Sequence, residues 1–179
     1  MKIVLLSSLY PPDIAEPAPY IKELAKRLST EYEVTVVAYS NFPEKVGGVH
    51  VVAVSKRRPL PIRLAVYFFA LLRAARGADV LYAENGASVE LPAAVVAWLT
   101  RTPLVLHLGD TAAHARARGI LRGIERFAAR RATRVLTEMP LSKPEILPFN
   151  SAPITEIQAY DRSWAEHMAE LTGLFAHAR

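Results

Sequence analysis

Compact runs of β-forming residues alternate with stretches of helical periodicity along almost the whole chain, and that alternation leaves few folds open. Lys2 to Ser8 is apolar at nearly every position, as expected of a strand buried on both faces of a parallel sheet. Tyr10-Pro11-Pro12-Asp13 follows as a loop that its prolines keep from being helical. From Pro19 to Leu28, Tyr20, Ile21, Leu24, Ala25 and Leu28 recur at helical spacing. Glu33 to Tyr39 and Val49 to Val54 read as strands, the second entered through the Gly47-Gly48 turn. A helix is expected from Pro59-Leu60-Pro61 to about Arg76, stopped by Gly77, and a fourth strand over Ala78 to Ala83.

Further along, Glu90 to Leu99 reads as a short helix with Pro92 in its first turn, where the missing N–H costs nothing. Pro103 to Leu108 is a fifth strand, and Ala112 to Arg131 a long helix whose apolar face carries Ile120, Leu121, Ile124, Phe127 and Ala128. Arg134 to Thr137 and Glu145 to Phe149 are two more short strand candidates. The last helix spans about Ser163 to Phe175, with Ser163 and Glu166 forming a capping box. The expectation is an α/β fold: a Rossmann-like parallel sheet with helices on both faces, one domain over 1–179, its final helix (161–176) packing back on it. In such sheets ligands bind at the carboxyl ends of the strands, here Ser7 to Asp13, Tyr39 to Phe42, Glu84 to Ser88, His107 to Thr111, and Glu138.

Composition narrows the function classes. With 179 residues, 51% apolar and 22% charged, the chain suits one globular domain. Cysteine is absent, so disulfides and thiolate metal sites are excluded, and no histidine or carboxylate cluster stands at metal-ligand spacing. The first strand–helix turn lacks the Gly-x-Gly-x-x-Gly pattern, which argues against a dinucleotide-dependent oxidoreductase. No leader segment is evident and no apolar run approaches the length of a bilayer span, so a cytoplasmic chain is expected, with room for contact at a membrane surface.

The net charge of +5 is unevenly spread. No acidic residue falls between Lys45 and Ala78, a window holding Lys56, Arg57, Arg58, Arg63, Arg73 and Arg76. A second cluster runs from Arg116 to Arg134 with only Glu125 opposing it. Two readings stay open: solvated helix faces, or attraction to phosphate on an anionic lipid or a nucleotide-linked substrate, with Lys56, Arg57 and Arg58 free for an anionic surface. Nucleic acid is not expected, because no recognition motif accompanies the charge. The helix around Val66 to Phe69 reads as packed on the sheet in preference to touching a membrane.

The order strand, Tyr-Pro-Pro-Asp, helix Tyr20-Ile-Lys-Glu-Leu-Ala-Lys-Arg-Leu28, and strand Tyr32-Glu-Val-Thr-Val-Val37 resembles the opening of family 4 glycosyltransferases of the GT-B fold. Family members usually carry two glycines before that helix. Here Ala15-Glu16-Pro17-Ala18 replaces them, so side chains stand where close backbone approach is expected. Pro103 to Asp110 resembles the segment in which a strand delivers a histidine or a Gly-Asp pair to the cleft. It offers His107, Gly109 and Asp110, with His114 just beyond, and Asp110 serves equally as a helix cap. Glu84, Asn85 and Gly86 resemble the loop near the acceptor, with an Asn-Gly turn as the alternative. Asp110 and His107 are thus the catalytic candidates, and Tyr10, Asp13, Glu16, Glu84, Asn85, Gly86, Gly109 and His114 the acceptor-binding ones.

Tyr160 to Met168 resembles the last helix of full-length members, where the chain returns from the donor domain. It follows Asn150 almost directly, and no Arg-x₄-Lys step or Glu-x₇-Glu pair of a donor site appears after that residue. The resemblance therefore implies the acceptor-side half of a glycosyltransferase, with no cofactor of its own. A nucleotide-sugar donor would be bound by a partner: a separate donor-binding GT-B subunit or a second copy. The acceptor would be a glycan or lipid-linked sugar. The alternative is a non-catalytic binding or scaffold protein derived from such an enzyme.

Overall fold

In a computed structural model, residues 1–84, 86–108, 118–138 and 152–177 are described. Seven strands, all parallel, form one sheet in the order β3-β2-β1-β4-β5-β6-β7. They are β1 (Lys2–Ser7), β2 (Glu33–Tyr39), β3 (Val49–Val54), β4 (Val80–Glu84), β5 (Leu104–His107), β6 (Arg134–Thr137) and β7 (Ile154–Glu156). The chain runs outward from β1 to β3, then returns to the other side of β1 to begin β4. Loops leaving β1 and β4 therefore diverge, and a crevice opens at that reversal.

Successive side chains of each strand feed two separate cores. Val4, Leu6, Val37, Leu81, Ala83, Leu104, Leu106 and Val135 pack under α2 (Leu60–Ala74), α3 (Ala87–Thr100) and α4 (Ile120–Arg131). Ile3, Leu5, Val34, Val36, Val80, Tyr82, Val105 and Leu136 pack under α1 (Ala18–Leu28) and α5 (Trp164–His177). Burial on both faces is why these strands read as unbroken apolar runs.

Several boundaries differ from expectation, each for a local reason. Helix α3 starts at Ala87 instead of Glu90, because the Glu90 carboxylate reaches back to accept the Gly86 N–H at 2.8 Å. Pro92 consequently lies inside the helix and not in its first turn. The Ser88 carbonyl, deprived of its donor, accepts the Tyr39 hydroxyl at 3.1 Å instead. Helix α4 begins at Ile120, after a non-helical Arg118 and Gly119 at φ 58°, and residues 112–117 of the expected helix lie outside the described residues. Its expected apolar face is covered only at Ala128, while Ile120, Leu121 and Phe127 stay exposed. The strand candidate Glu145 to Phe149 lies outside the described residues. Edge strand β7 escaped the sequence reading because its three residues, mostly exposed, show no hydrophobic pattern. Ser163 caps α5 by accepting the Glu166 N–H at 3.3 Å.

Candidate functional site

At the carboxyl ends of β4, β5 and β6, the two-residue alternation that fills the α1–α5 core meets polar side chains. Tyr82 and Glu84 on β4, His107 on β5 and Glu138 just past β6 turn toward Tyr20 of α1 and His167 of α5. A polar side chain can be this deeply buried only if it is hydrogen-bonded, and most of these are. His107 Nδ1 lies 2.6 Å from Glu84 Oε1, each side chain 2% exposed. Tyr82 Oη is 3.1 Å from the same carboxylate oxygen and 2.7 Å from Tyr20 Oη. Tyr20 Oη is 2.9 Å from His167 Nε2. The Gln158 carbonyl accepts from His167 Nδ1 at 2.6 Å, which fixes that proton on Nδ1.

Proton counting exposes a shortage. The contacts His167–Tyr20, Tyr20–Tyr82 and Tyr82–Glu84 each need one hydrogen, and the two phenols bring one apiece. With His167 neutral and Glu84 ionised, one contact has none. One further proton, on His167 Nε2 or on Glu84, completes the chain. Burial, then Glu84, holds both the Tyr20 and Tyr82 hydroxyls well above the usual phenol range, Tyr82 feeling the Tyr20 charge as well. Burial likewise lowers the His167 pKa against the pull of its bond to Gln158. Burial also pulls His107 down, but the charge and hydrogen bond of Glu84, with Glu138 behind it, outweigh that, and the net shift is upward.

Two atoms of the cluster have no hydrogen-bond partner. His107 Nε2 and Glu138 Oε1 face each other at 3.6 Å, beyond hydrogen-bonding distance, and both are sealed from solvent. Glu138 is raised by burial, His107 opposing and Glu84 and Asp161 adding. In the imidazolium form of His107, its Nε2–H and the Glu138 carboxylate, of heightened basicity, face each other, one a hydrogen-bond donor and the other an acceptor.

The α1 and α5 sides of the cluster are held by rings. Tyr20 packs against Tyr160 at 4.8 Å and stacks on Trp164 at 5.8 Å, and the Arg27 guanidinium covers Trp164 at 4.7 Å.

Of the catalytic and acceptor-binding candidates singled out from sequence, Glu84 and His107 are brought into contact with each other. Glu16 lies at the margin, accepting the Tyr160 hydroxyl at 2.9 Å. Asp13 is held by Lys56 at 2.6 Å, so this lysine is engaged within the chain and not free for an anionic surface. Arg57 stacks over Phe42 at 5.7 Å, and Arg58 is exposed. Tyr10 is buried in the α1-side core with its hydroxyl unpartnered and its pKa pushed up to about 12 by burial and then Glu44. Gly86 caps α3 at φ 135°, where a side chain would be strained. Asn85, Gly109, Asp110 and His114 lie outside the described residues.

Sequence reading missed Tyr20, Tyr82 and His167, because a tyrosine on an apolar stripe and a histidine in the last helix read as packing. Glu138 was legible only as a strand end. A groove of about 470 Å³ bordered by Lys2, Glu33, His50 and Arg73 lies at the opposite, amino ends of β1, β2 and β3.

Known proteins fit this architecture. A family model described as "Glycosyl transferase 4-like domain" matches residues 16–140. Among solved structures, a sucrose-phosphate synthase piece from Thermosynechococcus elongatus, designated 27_220_406_426, superposes with TM-score 0.73 at 12% identity, over 99% of this chain and 98% of that one. HepE of Anabaena in complex with UDP gives TM-score 0.59 at 20% identity over 88% of this chain. UDP-GlcNAc 2-epimerase of Methanocaldococcus jannaschii gives 0.54 at 10% identity over 82%. The chain spans 44% of the length of HepE and 42% of that of the epimerase. No curated protein matches. At these identities the structural likeness establishes the fold, that of one lobe of GT-B proteins. The family model covers well over half of the sequence, and the chain belongs to the glycosyl transferase 4-like domain family.

Proposed function

We propose that the chain is the acceptor-side lobe of a glycosyltransferase, acting with a donor-binding lobe on a separate subunit or a second copy. The observation that carries this reading is the unpartnered pair His107 Nε2 and Glu138 Oε1, 3.6 Å apart at the ligand-binding end of the sheet. Acceptor binding would have to part the side chains that seal this pair; a hydroxyl admitted there receives a hydrogen bond from the His107 imidazolium and gives its own hydrogen to Glu138. As the sugar arrives, the hydroxyl oxygen bonds to the anomeric carbon and the bond from that carbon to the donor phosphate breaks. The hydroxyl proton passes to Glu138, and the nucleoside diphosphate departs with the donor lobe. Glu84 is a positioning residue: it accepts the His107 Nδ1–H and its charge favours the imidazolium, the form whose Nε2–H points at the acceptor. The acceptor class is a glycan or lipid-linked sugar, and the donor a nucleotide-sugar, as in the HepE complex with UDP-glucose.

A binding or scaffold role is the alternative, favoured by Ala15 to Ala18 in place of a glycine pair and by Glu16 being tied to Tyr160. The decisive experiment measures acceptor binding and sugar transfer with and without candidate donor-lobe chains, for the natural sequence and for Glu138→Gln. Transfer that needs both chains and falls at least roughly a hundredfold in the variant is expected, the usual scale for a lost general base. Absence of acceptor and sugar-nucleotide binding in both settings refutes the proposal and leaves the scaffold role.

A further inference from the structure

The two helical layers differ in a way that the fold alone does not require. Nine of the twelve exposed large apolar side chains lie on α2, α3 and α4, and none on α1 or α5. Over the same three helices, six arginines face two glutamates, one of which, Glu90, is buried. Helices α1 and α5 carry three basic residues (Lys22, Lys26, Arg27) against three acidic ones (Glu23, Glu166, Glu170). One side of the protein is thus both oily and cationic, and the other is neither.

The concentration is greatest where the end of α3 meets α4. Trp98 is 60% exposed, Leu99 53% and Phe127 36%. Arg131 lies over the rings of Trp98 and Phe127 at 5.5 and 5.8 Å, which holds a guanidinium at the level of the rings. Arg126 and Arg130 flank this patch on the exposed arc of α4. A protein partner pressed against such a patch would have to supply buried carboxylates to each guanidinium. The headgroup layer of an acidic bilayer supplies phosphate at ring depth without that requirement, and tryptophan, phenylalanine and arginine are the side chains that settle there.

We propose that the α2–α3–α4 layer seats on the headgroup region of an anionic lipid bilayer, with Trp98 and Phe127 as the inserted rings and the α4 arginines on lipid phosphate. No helix among the described residues is long and apolar enough to cross a membrane, so the attachment is peripheral. This face is distinct from the His107 cluster, which borders the opposite layer. Failure of either proposal therefore leaves the other standing.

The test is flotation of the 179-residue chain with phosphatidylcholine vesicles, with and without phosphatidylglycerol, at low and high salt. Association is expected only with the acidic vesicles and is expected to weaken with salt. The exposed double variants Trp98→Ser/Phe127→Ser and Arg126→Glu/Arg130→Glu should each retain native circular dichroism and bind at least roughly tenfold more weakly. Failure to float with acidic vesicles at low salt overturns the proposal. So does equal binding to neutral vesicles, or unchanged binding by both variants. Self-association abolished by Trp98→Ser/Phe127→Ser, without vesicle binding, assigns the face to a second copy and overturns it as well.

Discussion

Glu84→Gln removes one negative charge while keeping the shape of the side chain and an acceptor oxygen, so it isolates the electrostatic part of the Glu84–His107 contact. The two atoms are 2.6 Å apart and each side chain is 2% exposed, so water screens little of the interaction. A hydrogen bond to a charged group contributes about 1.5–3 kcal/mol, which favours the imidazolium over the neutral ring. In the natural protein the net shift of His107 is upward, although burial pulls the other way. With Glu84 neutralised, burial is opposed only by Glu138, and the His107 pKa should fall below the ordinary histidine value. The sign for stability follows. A raised folded-state pKa contributes stability that is present in full below the unfolded pKa, about 6.5, and is lost as pH rises through the folded value. The natural chain should therefore gain from His107 on acidification through that window, and the variant should lose. Histidine ring resonances followed by NMR from pH 5 to 9, with urea unfolding at both ends of that range, report the two quantities separately. An unchanged His107 titration in a folded Glu84→Gln protein would refute the assignment of the upward shift to Glu84.

Two other expectations concern the frame around the site. Tyr39→Phe strips the Ser88 carbonyl of the hydroxyl that replaces the missing Pro92 N–H, and should cost about 1–3 kcal/mol. Adding Pro92→Ala restores a helical donor, so urea melts of the double-mutant cycle should show recovery, and strict additivity would count against it. Phe175→Ala empties a fully buried site beside Tyr82, 5.9 Å between rings, and should cost about 3–5 kcal/mol in thermal or urea unfolding. A loss below about 1 kcal/mol would mean that α5 does not share the core of the sheet.

Most of the fold was legible because parallel strands buried on both faces leave an unmistakable trace: β2 and β6 fall where their apolar runs stand. Boundaries went astray where a tertiary contact overrides local pattern. Glu90 lengthens α3 at its start, Tyr39 rescues the carbonyl facing Pro92, and Gly119 at positive φ breaks the expected helical run just before α4. The candidate site was half legible. Glu84 and His107 stand at strand ends, where ligand-binding groups are expected. Tyr20 and His167 are separated by 147 residues and meet only through the sheet, so no spacing could have paired them.

That separation bears on how the protein reaches its native state during synthesis. The α2–α3–α4 side of the sheet can begin to consolidate while the polypeptide is still being extended. The opposite side lacks Leu171 and Phe175 until α5 has been made. At ribosomal rates of about 5–20 residues per second, a nascent chain spends several seconds with β4 and β5 lacking that cover on one flank. Tyr20 and Tyr82 stay wet over that interval, and His167 is the last of the three to arrive.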